Sequence, residues 1–225
     1  MPAHFADVSD IRQIPDNQEV YLDTTGFTSV TIDLCERVPS PPPNPSSSSP
    51  PSATTDGNAS ADGDANPDHY ALTYHFFDIV AAEDTKRIYH TTHNITLPGF
   101  PTTTPISSLL ALTTPPPPPS AEGRGPNEAK WVCVIMTLIR LVTTQTDMLV
   151  VVNVPCVPAA EEDGDGEEVV DFERGVYGRR VREGREVMEG VVGSLRVVDW
   201  GLFGDGGDGE GEAGSTGGGE GFEGV

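Results

Sequence analysis

Basic residues are scarce in this chain. Thirteen Lys and Arg stand against 35 Asp and Glu, for a formal net charge of −22. That balance argues against a binder of nucleic acid backbone, whose affinity comes from cations that neutralise phosphates. It suits a basic protein partner better. Cysteine is nearly absent, and Cys35, Cys133 and Cys156 form an odd set without motif spacing. They read as buried free thiols of a reducing compartment. Hydrophobic residues make up only 36% of the chain, and the longest apolar run, Trp131 to Val142, is too short for a bilayer. No basic-plus-apolar leader opens the sequence, so no secretory signal is expected and the sequons at Asn58 and Asn94 read as idle. Gly-x-Ser-x-Gly, His-Glu-x-x-His and Cys-x-x-Cys are all missing.

What is present is unevenly spread. Residues 159–171 hold seven acids, residues 204–225 six and residues 38–66 three, with no base in any of the three segments. Together they supply −16, so everything else carries only −6. Gly plus Pro reaches 46 of 225 residues, high for a compact fold. The expectation is one domain over residues 1–203, followed by a disordered Gly/acid tail over 204–225. A disordered insertion at 38–66, a Pro/Thr-rich loop at 100–128 and an acidic loop at 158–172 interrupt that domain. Segment 38–66 has almost no large apolar side chain to offset ordering entropy. Pro115 to Pro119 is expected in polyproline II.

The structured parts show their period. Residues 7–14 read as a helical turn capped by Ser9 and stopped by Pro15. Glu19 to Asp23 reads as a short strand. Thr28 to Glu36 alternates with period two, with Val30, Ile32 and Leu34 on one face. Thr24 to Phe27 is the turn between them. Asp68 to Glu83 fits a helix on a Leu72–Phe76–Val80 stripe, and Lys86 to Thr92 a strand. Trp131 to Val142 and Met148 to Val154 are two Val/Ile/Leu-rich strands joined as a hairpin. Their continuous hydrophobicity implies cover on both sheet faces, and Pro155 is expected to end the second. Residues 173–193 form a second helix on Tyr177, Val181, Met188, Val192 and Leu195, weakened by Gly178, Gly184 and Gly190. Leu195 to Val198 reads as a final strand.

Within residues 7–23 the acids Asp7, Asp10, Asp16, Glu19 and Asp23 gather with one base, Arg12, which could pair with Asp16. Each alone reads as a cap or a solvated turn acid. Together on one turn-strand unit they favour a contact patch over acid/base catalysis, which needs partners in a pocket. His90 and His93 have a metal-compatible spacing on a helix, but a strand points them apart and no third ligand is evident. His69 and His75 read as packing or surface residues. Arg179, Arg180, Arg182 and Arg185 read as a solvated helix face, with the preceding acidic loop as an intramolecular partner. Gly204 to Gly221 lacks the lysine and helix of a phosphate cradle. No cofactor or metal is called for.

Three ordered segments resemble the Mog-type Ran guanine-nucleotide release factors: Asp7 to Leu22, Leu138 to Pro155, and Val197-Val-Asp-Trp-Gly-Leu-Phe203. The resemblance implies an α/β/α sandwich around a mainly antiparallel sheet, similar to the PsbP-like fold. It implies a monomeric, non-enzymatic protein of nucleus and cytoplasm that binds Ran, promotes nucleotide release and supports nuclear import, with no nucleic acid or membrane partner. The family's contacting acids lie in a Pro-Asp-x-Gln-Glu motif, here Pro15-Asp16-Asn17-Gln18-Glu19. This assigns Asp16 and Glu19 to the partner surface, flanked by Asp7, Asp10 and Arg12. Members carry an apolar N-terminal strand segment before the motif, whereas this chain reaches it almost at once, which would expose a sheet edge. Alternatives are a PsbP-like accessory protein, another non-enzymatic binding module, or a ligand-binding enzyme using His90 and His93.

Overall fold

The computed structural model describes residues 1–40, 66–118, 125–157 and 171–203. The acidic tail and most of the expected insertion and acidic loop therefore lie outside the described residues. The strands are β1 (Phe5–Asp7), β2 (Gln18–Asp23), β3 (Ser29–Glu36), β4 (Thr85–Thr92), β5 (Ile106–Thr114), β6 (Trp131–Leu141) and β7 (Thr146–Cys156). The helices are α1 (Pro67–Ile79) and α2 (Arg179–Ser194). All seven strands form one antiparallel sheet in the order β1-β2-β3-β7-β6-β5-β4.

The central hairpin β6–β7 explains the layering. Successive side chains of a strand point to opposite faces. Cys133, Ile135, Ile139, Met148, Val150, Val152 and Val154 fill one face under α2, with Val181, Met188, Val191 and Val192 from the helix. Val134, Met136, Leu138, Leu149 and Val151 fill the other face under α1, with Ala71, Leu72 and Phe76. Both faces are dry, so the two strands read as unbroken apolar runs. The expected α/β/α sandwich is the observed one.

Four elements differ from the sequence reading. Inside the 100–128 loop, Ile106 to Thr114 is a full strand between β4 and β6. Its flanking prolines and its four Ser/Thr residues conceal alternation that places Ile106 and Leu110 on the α2 face and Leu109 and Ala111 on the α1 face. Leu195 to Val198 is not a strand. Leu195 and Val197 pack against the α2-side core, but Val198 is 97% exposed. β7 runs through Pro155, which lies opposite Val132. The β3 ladder starts only at Asn153, so β7 has one neighbour there and tolerates a residue without an N–H. Val38, assigned to the insertion, is a buried core residue.

Val38 also meets a buried polar network. Arg140 is 2% exposed and its ladder partner Asp147 0%, both on the α1 face. Arg140 Nε donates to Asp147 Oδ1 at 3.2 Å, and Nη1 donates to Asp68 Oδ1 at 2.9 Å and to the Pro67 carbonyl at 3.2 Å. Its Nη2 donates to the Val38 carbonyl. Asp147 Oδ2 accepts from Val38 N–H at 2.9 Å and lies 3.0 Å from His75 Nε2. Pairing and hydrogen bonding are what permit charges at this depth. Burial alone would raise the Asp147 pKa, but His75, the Val38 N–H and Arg140 outweigh it and hold the carboxyl below its ordinary value. The network ties the end of β3 and the start of α1 to the central hairpin. His75 is thus a buried residue, as one of its two sequence readings had it, and it also hydrogen-bonds to Asp147.

Glycine has two roles in α2. A Cβ on Gly184 would collide with Val154 Cγ2 on β7, so this glycine allows the helix to settle onto the sheet. Gly190 faces open space and carries only the conformational cost. Among the described residues no helix is long and apolar enough to cross a membrane.

Candidate functional site

The acidic segment lies at the β1 edge of the sheet. β1 pairs with β2 through Phe5↔Asp23, Ala6↔Leu22 and Asp7↔Tyr21, so three residues cover the side of β2 that was expected to be bare. Val8, buried, then anchors a 3₁₀ turn over Val8–Asp10. The cap of that turn is Asp7 rather than Ser9: its Oδ1 accepts from the Ser9 N–H at 2.8 Å. Hydrogen bonds from the Ser9 side chain and backbone hold the Asp7 carboxyl below its usual value.

Pro15 closes the next turn by accepting the Gln18 N–H at 3.0 Å. The motif then divides by role. Asn17 Nδ2 donates to Asp33 Oδ1 and Gln18 Nε2 to Asp33 Oδ2, each at 2.8 Å, so two amides grip one β3 carboxylate. Asn17 also reaches the Leu34 carbonyl at 3.2 Å, and its own carbonyl accepts the Leu34 N–H at 2.9 Å. Asp16 and Glu19, on either side of the amides, are exposed. Glu19 Oε2 accepts from the Tyr21 hydroxyl at 2.6 Å. That bond first, then burial and the charges of Glu19 and Asp7, push the Tyr21 pKa up to about 12, so the hydroxyl remains a donor.

Register fixes the direction of these groups. Glu19 lies opposite Ile32 and Tyr21 opposite Val30, and cross-strand partners share a face. Val30 and Ile32 belong to the α2-side core, so Glu19 and Tyr21 lie on that face of the sheet. Gln18 and Asp33 lie on the other. Asp10 and Arg12 are exposed on the 3₁₀ turn and just after it, in a unit packed against β2. No ion pair joins Arg12 to Asp16 among the described residues; the expected pairing is not formed. Asp23 is occupied by the β2–β3 turn, accepting both the N–H and the hydroxyl of Thr25 at 2.8 Å.

The other candidates have structural partners. His93 Nδ1 lies 2.8 Å from Ser107 Oγ, and the His90 ring meets Tyr177 edge-on at 6.2 Å. Among the described residues no group of three His, Cys, Asp or Glu could hold a metal ion. Arg185 stacks on Tyr177 at 5.3 Å, and Arg179 pairs with Glu183 at 3.5 Å. The acidic loop proposed for these arginines lies, save Asp171 and Phe172, outside the described residues. A groove lined by Phe5, Phe27, Val154, Arg179, Arg180 and Glu186 takes in Asp23 but neither Asp16 nor Glu19. All three cysteines are free thiols; Cys133 is buried, whereas Cys35 and Cys156 are half-buried. Sequence reasoning also missed Asp33 and Tyr21. Asp33 occupies a strand position where a polar residue reads as ordinary alternation, and Tyr21 one where an aromatic ring reads as packing.

The family model described as Ran-interacting Mog1 protein matches residues 1–155. The chain belongs to the Mog1 family. It is similar to the nuclear import protein mog1 of Schizosaccharomyces pombe, 26% identical over 205 residues, covering 90% of this chain and 93% of that protein. Among solved structures it is similar to the Saccharomyces cerevisiae Ran-binding protein Mog1p, with a TM-score of 0.44 and 18% identity over 83% of this chain and 85% of the other. It is also similar to a single-substitution mutant of protein Mog1, with a TM-score of 0.48 and 19% identity over 90% of each chain.

Proposed function

We propose that this protein binds the small GTPase Ran through an acidic edge carried by Asp16 and Glu19 and flanked by Asp7, Asp10 and Arg12. Binding promotes release of Ran's guanine nucleotide in support of nuclear protein import. The protein acts as a monomer, in nucleus and cytoplasm, without making or breaking bonds. Membership of the Mog1 family supports the partner. The observation that carries the site is the arrangement of the motif. Asp16 on the turn and Glu19 at the start of β2 are exposed on either side of amides fixed to β3, and among the described residues no arginine forms an ion pair with them. Carboxylates held this way would compete with nucleotide phosphates for cationic groups on the partner. Tighter binding to the nucleotide-poor state than to the loaded one would then shift the equilibrium toward release.

The test is release of labelled nucleotide from Ran, with and without this protein, together with Ran binding by Asp16→Lys and Glu19→Lys. Reversing a charge at the centre of an interface should weaken binding by about 2 kcal/mol or more, roughly thirtyfold. Undiminished binding by both variants would refute the assignment.

A further inference from the structure

Two residues outside the motif hydrogen-bond to its side chains. Asp33 on β3 receives the side-chain amides of both Asn17 and Gln18, one on each carboxylate oxygen, at 2.8 Å. Tyr21 on β2 donates its hydroxyl to Glu19 at 2.6 Å. Neither contact is needed to build the ladder, whose backbone pairing runs through Gln18↔Asp33 and Tyr21↔Val30 regardless of side chain. Asn17 and Glu19 are exposed and Gln18 half-buried, so in water these side chains would otherwise sample several rotamers. Immobilising a side chain at the moment of association costs about 0.5–1.5 kcal/mol. A side chain already held in place has met that cost in the free protein.

We propose that Asp33 and Tyr21 are positioning residues of the partner surface: Asp33 clamps the Asn17–Gln18 pair so that Asp16 and Glu19 stand outward on either side of it, and Tyr21 holds the Glu19 carboxylate in one orientation. This rests on the acidic-edge reading above. Asp33 is separated from the edge by the β2–β3 register, on the opposite face from Glu19, and acts only through the amides. Tyr21 shares the Glu19 face, where its ring packs against the α2-side core and anchors the hydroxyl.

The experiment measures Ran binding by the full chain carrying Tyr21→Phe, Asp33→Ala, or Asn17→Ala with Gln18→Ala. Tyr21→Phe removes one oxygen and keeps the ring packing. It should weaken binding about threefold, and loss of the clamp about tenfold, the range set by the ordering cost of one or two side chains. The decisive readout is a double-mutant cycle. In a Glu19→Ala background, Tyr21→Phe should have no further effect, and in an Asp16→Ala, Glu19→Ala background neither should Asp33→Ala. A merely structural role would weaken binding equally in both backgrounds, and that result overturns the proposal. So does unchanged binding by Tyr21→Phe and by the amide double variant, which covers the case in which Asp33→Ala fails to fold. If the Asp16 and Glu19 variants themselves bind as well as the parent, the acidic-edge reading fails, and the positioning role fails with it.

Discussion

Replacing Arg140 with Leu tests the buried network most directly. The guanidinium is 2% exposed and serves Asp147, Asp68 and the carbonyls of Pro67 and Val38. Asp68 keeps access to water, because its side chain is 29% exposed. Asp147 does not: at 0% exposure it would retain the Val38 N–H and His75 on Oδ2 and lose its partner on Oδ1. Removing one member of a buried pair costs about 3–5 kcal/mol, since the remaining charge is left in low dielectric. With a urea slope near ~2 kcal/mol per molar, the midpoint at pH 7 should fall by about 2 M. Asp147→Asn in the Arg140→Leu background should then cost little or recover stability, because the charge that required the guanidinium is gone. The network also gives a pH signature. The folded pKa of Asp147 lies below its ordinary value of 3.8, so its contribution is complete above that value and disappears as pH falls through it toward the folded pKa. The parent should lose stability below about pH 4 more steeply than Asp147→Asn. A loss under about 1 kcal/mol for Arg140→Leu, or strict additivity in the double variant, would show that the network does not hold the fold as described.

Two glycines of α2 should respond with opposite signs to the same change. Gly184→Ala forces a methyl against Val154 and should cost about 1–3 kcal/mol, whereas Gly190→Ala, facing open space, should gain up to about 1 kcal/mol; thermal melts of both variants decide it. Burial pushes the Cys35 and Cys133 thiols up to about 12, with the Asp33 charge adding to the rise at Cys35. Both should react slowly with a thiol reagent at pH 7 in the native protein and rapidly in denaturant, and equally fast native labelling would contradict their burial.

How much of this could be read from the chain alone depended on the range of each interaction. The β6–β7 hairpin was legible because its signal is local: uninterrupted Val, Ile and Leu, a short connection and β-branching. The α1 stripe at Leu72 and Phe76 was legible for the same reason. β5 was not, because its nine apolar and hydroxyl residues between prolines have the composition of a loop until β4 and β6 flank them. The Leu195–Val198 segment failed in the other direction. Its apolar alternation suits a strand, but Leu195 passes close to Gly99 and the segment packs outside the sheet.

The acids of the motif were visible in the sequence, where they read as a contact patch in preference to a catalytic centre. Composition and period also determined the layer architecture, since an apolar run needs cover on both sides wherever it is placed. Only tertiary structure decided which polar groups are held. Asp33 reaches back to Asn17 across 16 positions, and His75 reaches Asp147 across 72. Such pairings follow from strand register and helix docking, which bring distant residues to one face and leave no periodic trace along the chain.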